Sequence, residues 1–274
     1  MLSHQKKISE QRKKNHADAD MFGKWYEDID TSLQNAVVKK INYVTAQKII
    51  EDYEWIGTMP LPKSCRYIYG IYFEGCLGGV EVFVEPSTRQ FNEKHPRKVV
   101  QLNRGACAYW TRKNTASYML AECFKQLKKE GVIAIIAYCT IEAGEFGTIY
   151  RACGFKYIGE TKPSKTYYLD KHWVSERTLA DKKKWAKSKG IGWVNKFNNL
   201  ESKMLQAKLR FLKQIGTHKE NKEFKKHYGY EFLKQPMRGV EGVQSDTNRT
   251  EVVSTLSSLQ FADTIIRHES ERNS

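Results

Sequence analysis

The chain has 274 residues, a hydrophobic fraction of 40% and a formal net charge of +15, enough for one large domain with an appendage and some solvated tail. No apolar run approaches the ~20 residues of a membrane-spanning helix, and the N-terminus MLSHQKKISEQRKK has no signal-peptide pattern. The six cysteines (Cys65, Cys76, Cys107, Cys123, Cys139 and Cys153) stand apart without a CxxC; this excludes a zinc finger or deaminase centre and points to no metal and to reduced thiols in the cytoplasm.

Residues 1–38 are polar and mixed in charge, and Trp25, Tyr26, Ile29 and Leu33 form a helical stripe, so this segment reads as an N-terminal helical arm. A catalytic domain is expected over 39–175. It opens on a strand-like INYV, with Thr45 capping a helix whose Ile49 and Ile50 face inward. Gly57, Pro60 and Pro62 then start a loop. Runs at 67–73 and 77–84, split by EGC, predict a hairpin with Gly75 in its turn. Residues 86–97 read as a polar loop, and 98–110 resume the sheet.

The next segment has clear helix grammar. Asn114 or Thr115 is placed to cap, Met119, Leu120, Cys123, Phe124 and Leu127 give the 3.6-residue period, and Gly131 stops the helix. The uncharged run 132–138 predicts a strand covered on both faces, completing a right-handed βαβ unit. A loop with Glu142, Gly144 and Glu145 leads to a short helix over 147–153, a Gly154 stop and a strand from Phe155. Residues 166–174 predict one more strand.

Composition then changes. Residues 171–234 hold 17 Lys/Arg against 6 Asp/Glu, a net of +11, which implies a polyanionic partner. Residues 176–235 read as a basic, aromatic-rich helical extension, in which ESKMLQAKLRFLKQI predicts an amphipathic helix. Lys182, Lys183, Lys184, Lys187, Lys189, Lys208 and Arg210 are its candidate DNA-phosphate contacts. Residues 236–274 are Ser/Thr-rich and read as a disordered tail with a helix near 251–268.

The strand, loop, tyrosine-bearing helix and GFKYIGE strand over 132–160 resemble the second half of the GNAT acyltransferase fold. The class is therefore α/β (α+β), a mixed, strongly twisted sheet flanked by helices, with the basic helical C-terminal extension attached. The resemblance implies that the loop ahead of the 115–130 helix grips the pyrophosphate of coenzyme A. The usual glycines are replaced there by WTRKNTAS, leaving Arg112, Lys113, Asn114, Thr115 and Ser117 to hold a phosphate beside the helix amides. It also implies that Tyr150 protonates the departing group. Glu142 and Glu145, at the C-terminal end of the buried strand, are alternative general bases.

The stretches DYEWIGTMP, NRGACAYWTRKNTAS and EAGEFGTIYRACGF narrow the resemblance to the Mom family of phage DNA-modification proteins, over roughly residues 40–215. That implies a phage- or prophage-encoded transferase that converts adenine in DNA to its carbamoylmethyl derivative and so protects phage DNA from restriction. Tyr53, Ser117 and Tyr150 match family positions; Asp52 stands where many relatives carry His, and Thr140 where they carry an acid. A flipped adenine needs aromatic walls, for which Tyr53, Trp55 and Trp110 are candidates. The donor is glycyl-tRNA or acetyl-CoA, making tRNA a second nucleic-acid partner. A conventional N-acetyltransferase acting on a protein or small amine, and a non-catalytic nucleic-acid-binding protein on the same scaffold, are the alternatives.

Overall fold

The computed structural model describes residues 4–18, 26, 28–87, 89–170, 172–190, 197 and 199–234. The chain divides into Met1–Gln235 and Pro236–Ser274, and the second unit, with the expected tail and its helix, lies outside the described residues. So do Trp25, Trp193 and Lys171.

The main sheet has seven strands: β1 (Val37–Lys40), β2 (Cys65–Phe73), β3 (Cys76–Val84), β4 (Val99–Cys107), β5 (Ala134–Cys139), β6 (Lys156–Glu160) and β10 (Leu209–Gln214), in the order β1-β2-β3-β4-β5-β10-β6. Only β4 and β5 pair in parallel; every other neighbouring pair is antiparallel. A second sheet holds β7 (Ser164–Leu169), β8 (His172–Ser175) and β9 (Ser202–Leu205) in the order β8-β7-β9. The helices are α1 (His4–Asp18), α2 (Tyr43–Tyr53), α3 (Arg89–Lys94), α4 (Thr115–Lys129), α5 (Thr148–Ala152), α6 (Glu176–Ser188) and α7 (His218–Tyr228).

Two cores share the main sheet because successive side chains of a strand point to opposite faces. Val80, Val82 and Val84 of β3 pack with Ala46, Ile50 and Tyr53 of α2. Phe83, which the alternation turns to the opposite face, joins Met119, Leu120 and Leu127 of α4 in the larger core; the bulge beside it is on β4, where Asn103 is the extra residue between Leu102 and Arg104. Full burial of each such side chain contributes about 1.5–3 kcal/mol. The β4–α4–β5 unit follows the expected pattern, with Lys128 and Lys129 in the last turn and Gly131 at φ +81° after it. The Glu74–Gly75 hairpin turn, with both residues at positive φ, also forms as expected.

Six expectations change. The helix of the N-terminal arm is α1, not a stripe through Ile29 and Leu33; those two residues pack on the larger core from a non-helical segment. The strand before α2 is Val37–Lys40 rather than INYV, and Asn42, not Thr45, caps the helix by accepting from Thr45 N at 2.8 Å. The polar loop at 86–97 contains α3, and the single strand at 166–174 is the β7–β8 hairpin. The largest change concerns ESKMLQAKLRFLKQI, which forms β9 and β10 instead of a helix. β10 inserts between β5 and β6 with Phe211 and Leu212 fully buried, so the segment after 175 completes the main sheet as well as carrying α6 and α7.

Candidate active site

β4 and β5 pair from Val99↔Ala134 to Leu102↔Ala137 and then separate. β4 continues to Cys107 against β3 alone, and β5 continues to Cys139 against β10 alone. Their separation leaves the Asn103–Cys107 edge of β4 without a strand partner on the β5 side, a position where side chains, water or a ligand can take up main-chain polar groups. Open sheets with parallel strands collect ligands at such carboxyl-end openings.

Three segments bring charged groups to it. Glu54 ends α2, and its buried Oε2 accepts from Ile56 N at 2.8 Å and Gly57 N at 3.1 Å. Arg104, on the α2 face of β4, lies 3.8 Å from that oxygen; its Nε donates to Thr58 O at 2.8 Å and its Nη1 to Asn103 O at 2.9 Å. Glu145, in the loop after β5, accepts from Trp55 Nε1 at 3.1 Å and Thr140 N at 3.1 Å. Burial raises the carboxyl pKa of Glu54, opposed by Arg104 and the two amides. Burial also raises that of Glu145, opposed chiefly by its two hydrogen bonds. The Arg104 guanidinium is lowered by burial and held up by Glu54 and Glu145. Two carboxyls, each raised by burial above the ordinary carboxylate range, thus stand beside one arginine, the kind of grouping that marks a candidate site for proton transfer.

Tyr150 comes from α5, which starts after Gly147 at φ +64°. Its ring packs on Phe155 and Phe211, each at 5.3 Å, and its hydroxyl donates to Tyr138 O at 3.5 Å. Burial pushes the phenol well above its usual value, with Cys139, Glu145, Glu81 and Glu54 adding to the effect. It therefore stays protonated at neutral pH. Glu81 of β3 is buried on the α4 face and lies over Gly105, where a Cβ would collide with its carboxylate.

The structure separates the predicted residues. Glu142 is exposed and accepts from Gln206 N at 2.8 Å, bracing the approach to β10, whereas Glu145 belongs to the charged cluster. Trp55 borders that cluster, with His4 of α1 against its ring at 5.8 Å. Tyr53 is buried in the α2 core, 6.3 Å from Tyr109, and burial pushes its hydroxyl up to about 12. Trp110 is half-buried and packs edge-on to Phe73 at 5.9 Å.

In the loop before α4, Asn114 holds the cap position in a left-handed conformation, φ +72°, and makes no side-chain cap. Thr115 does not cap either, because its hydroxyl donates to Arg112 O at 2.7 Å; that of Ser117 donates to Asn114 O at 3.0 Å. What remains for an anion is the exposed pair Arg112 and Lys113 beside a helix start without a side-chain cap. That set fits a pyrophosphate or a nucleic-acid phosphate. Cys153 Sγ approaches Ser117 O at 3.8 Å, joining α5 to this helix start.

Lys182, Lys183, Lys184, Lys187 and Lys189 are exposed on and just after α6. Lys208 is exposed just before β10, and Arg210 within it is part-buried and donates to Ile158 O at 3.3 Å. The sequence reading did not single out Glu54, Arg104 or Glu81. A signal for Glu54 existed in DYEWIG, an acid between a helix end and a glycine turn.

A model of the Mom protein family matches residues 35–236, more than half of the chain. The chain belongs to the Mom family. The Mom segment spans β1 to α7 and contains every group of the charged cluster, while α1 precedes it. No curated protein matches. Among solved structures, the IAA acetyltransferase from Bacillus cereus is 14% identical, covering 65% of this chain and 99% of its own, with a TM-score of 0.37. The Bacillus subtilis acetyltransferase in complex with CoA is 11% identical over 66% and 97%, with a TM-score of 0.38. The ribosomal-protein-S18-alanine N-acetyltransferase from Escherichia coli is 10% identical over 68% and 97%, with a TM-score of 0.39. Likenesses at these scores carry no functional weight. The Mom segment has the mixed sheet flanked by helices expected from its sequence.

Proposed function

We propose that the chain is a DNA-modifying transferase that converts adenine to its carbamoylmethyl derivative at the exocyclic amine, protecting phage DNA from restriction. The observation that carries this reading is the cluster of Glu54, Arg104, Glu145 and Trp55 with Tyr150, at the opening between β4 and β5 of a Mom-family sheet. The added group, CH2–CONH2 on the adenine nitrogen, has the atoms of glycinamide. Adenine's amine attacks a glycyl ester, the ester C–O bond breaks, and the freed tRNA hydroxyl takes a proton. The glycyl amine then attacks C6 through a five-membered ring; the original C6–N bond breaks, and that nitrogen leaves as the carboxamide.

In this reading Glu145 takes the amine proton and Tyr150 supplies one to the departing oxygen. Glu54 and Arg104 hold the polar end of the opening, and Trp55 both orients Glu145 and borders the base. Arg112 and Lys113 hold a donor phosphate. Acetyl-CoA is the competing donor: the same two cations would hold its pyrophosphate, but besides a separate nitrogen source it would need a two-electron oxidant to join its methyl carbon to the adenine nitrogen, whereas the glycyl CH2 already carries nitrogen. The loop without glycines and the basic surface favour tRNA.

Nucleoside mass spectrometry of DNA from cells expressing the chain tests the reading. A new adenine species heavier by one carbamoylmethyl group in place of hydrogen is expected, and unmodified DNA in cells holding folded protein would overturn it. Labelled glycyl-tRNA with purified protein and DNA then assigns the donor by whether label enters the DNA.

A further inference from the structure

β7–β9 form a sheet with two unlike faces. Tyr167, Leu169 and Val174 point to one face and pack with Leu179 and Ala186 of α6. The alternation of a strand places Tyr168 and its cross-strand partner Trp173 on the other. Their rings lie 5.3 Å apart, and both remain more than a third exposed, at 37% and 38%. Lys203 of β9 joins the same face, with Nζ 4.2 Å from the centre of the Trp173 ring. Two large aromatics and a lysine left open to water form no part of the α6 core.

We propose that this face is a stacking platform for unpaired bases of the DNA strand that carries the target adenine. Bases stack on aromatic rings without regard to sequence, and a neighbouring lysine takes the phosphate. The exposed contact between Lys203 and the Trp173 ring is weaker than a base stack, so an incoming base displaces the ammonium toward the backbone.

The chain links the platform to the cluster between β4 and β5. Three residues beyond Lys203, Gln206 N donates to Glu142 in the loop that also holds Glu145, and three residues span at most about 11 Å. Lys208, next along the strip, is exposed, and its charge reaches Glu145. A strand lying on Trp173 and Lys203 is thereby led toward Glu145.

The inference rests on DNA as the acceptor, and its test is separate from that reading. Fluorescence anisotropy with a labelled oligodeoxythymidine of about 12 nucleotides is expected to show binding that Trp173→Ala weakens roughly 5- to 150-fold. Trp173→Phe should keep most of the affinity. In wild-type protein, photocrosslinking to an iodouracil-substituted strand should map to Trp173 or Tyr168, which does not depend on how the variants fold. Unchanged affinity in the folded alanine variant, crosslinks confined to Trp55, or tighter binding of an oligouridine RNA would overturn the platform. Modified adenine in cells alongside any of these results leaves the proposed activity standing; Trp173-dependent binding with unmodified DNA removes the activity alone.

Discussion

Gly147 offers a sharp test of how the Tyr150 helix is held. Its φ is +64°, and an added Cβ would lie 2.8 Å from Phe211 Cε2 and closer still to Cζ. Phe211 is fully buried, with the rings of Tyr150 at 5.3 Å and Tyr157 at 5.8 Å against it, so it cannot swing into water. In Gly147→Ala the left-handed backbone costs about 1–2 kcal/mol, and forcing a methyl into a packed core costs about 1–3 kcal/mol more. A total of about 2–5 kcal/mol lowers the melting temperature by roughly 4–20 °C in a chain of this size. Gly229→Ala is the control: φ is +59°, but nothing lies within 4 Å of its Cβ, leaving only the backbone cost of about 1–2 kcal/mol. Scanning calorimetry of the two variants at one pH measures the difference. Equal losses would refute the packing of Phe211 beneath α5.

Two further outcomes concern the carboxyls. Burial raises Glu81 well above its ordinary range, so the folded state binds its proton more tightly than the unfolded chain. Stability then falls as pH rises above the ordinary carboxylate value, by up to about 1.4 kcal/mol per unit until the folded group titrates. Glu81→Gln removes this slope: thermal melts should show a gain over wild type at about pH 8 that shrinks toward about pH 4, and a gain independent of pH would contradict the assignment. Trp55→Phe deletes the indole N–H that Glu145 accepts; such bonds to a charged group contribute about 1.5–3 kcal/mol, less where water can substitute. Losing it moves the Glu145 carboxyl higher, so the acid limb of the modification rate against pH should move to higher pH. An unmoved limb would separate Glu145 from the chemistry.

The β4–α4–β5 unit was legible because its signals agree: a 3.6-residue apolar period, lysines in the last turn, a glycine stop and an uncharged strand. β10 was not. In LQAKLRFLKQI, Leu205, Leu209 and Leu212 recur at helical spacing, and only pairing with β5 and β6, more than 45 residues earlier in sequence, makes the segment a strand. The site divides along the same line. Tyr150 and Glu145 sit in one continuous stretch that could be read locally, but nothing local distinguishes Glu145 from Glu142; a hydrogen bond from Trp55, 90 residues earlier, does. Glu54 and Arg104 acquire meaning only where α2 meets β4. Tyr53 shows the reverse, since an aromatic that suited a base pocket is buried in the α2 core.

The central claim is that Tyr150 donates a proton at a transfer site whose acceptor is adenine in DNA. The most direct measurement is nucleoside mass spectrometry on DNA from cells expressing wild type or Tyr150→Phe, paired with DNA affinity of the purified proteins. Phenylalanine keeps the ring against Phe155 and Phe211 and removes only the hydroxyl. The account predicts a modified adenine peak in wild type, its loss in Tyr150→Phe, and equal DNA affinity in both; a modified peak that persists in the variant would contradict it.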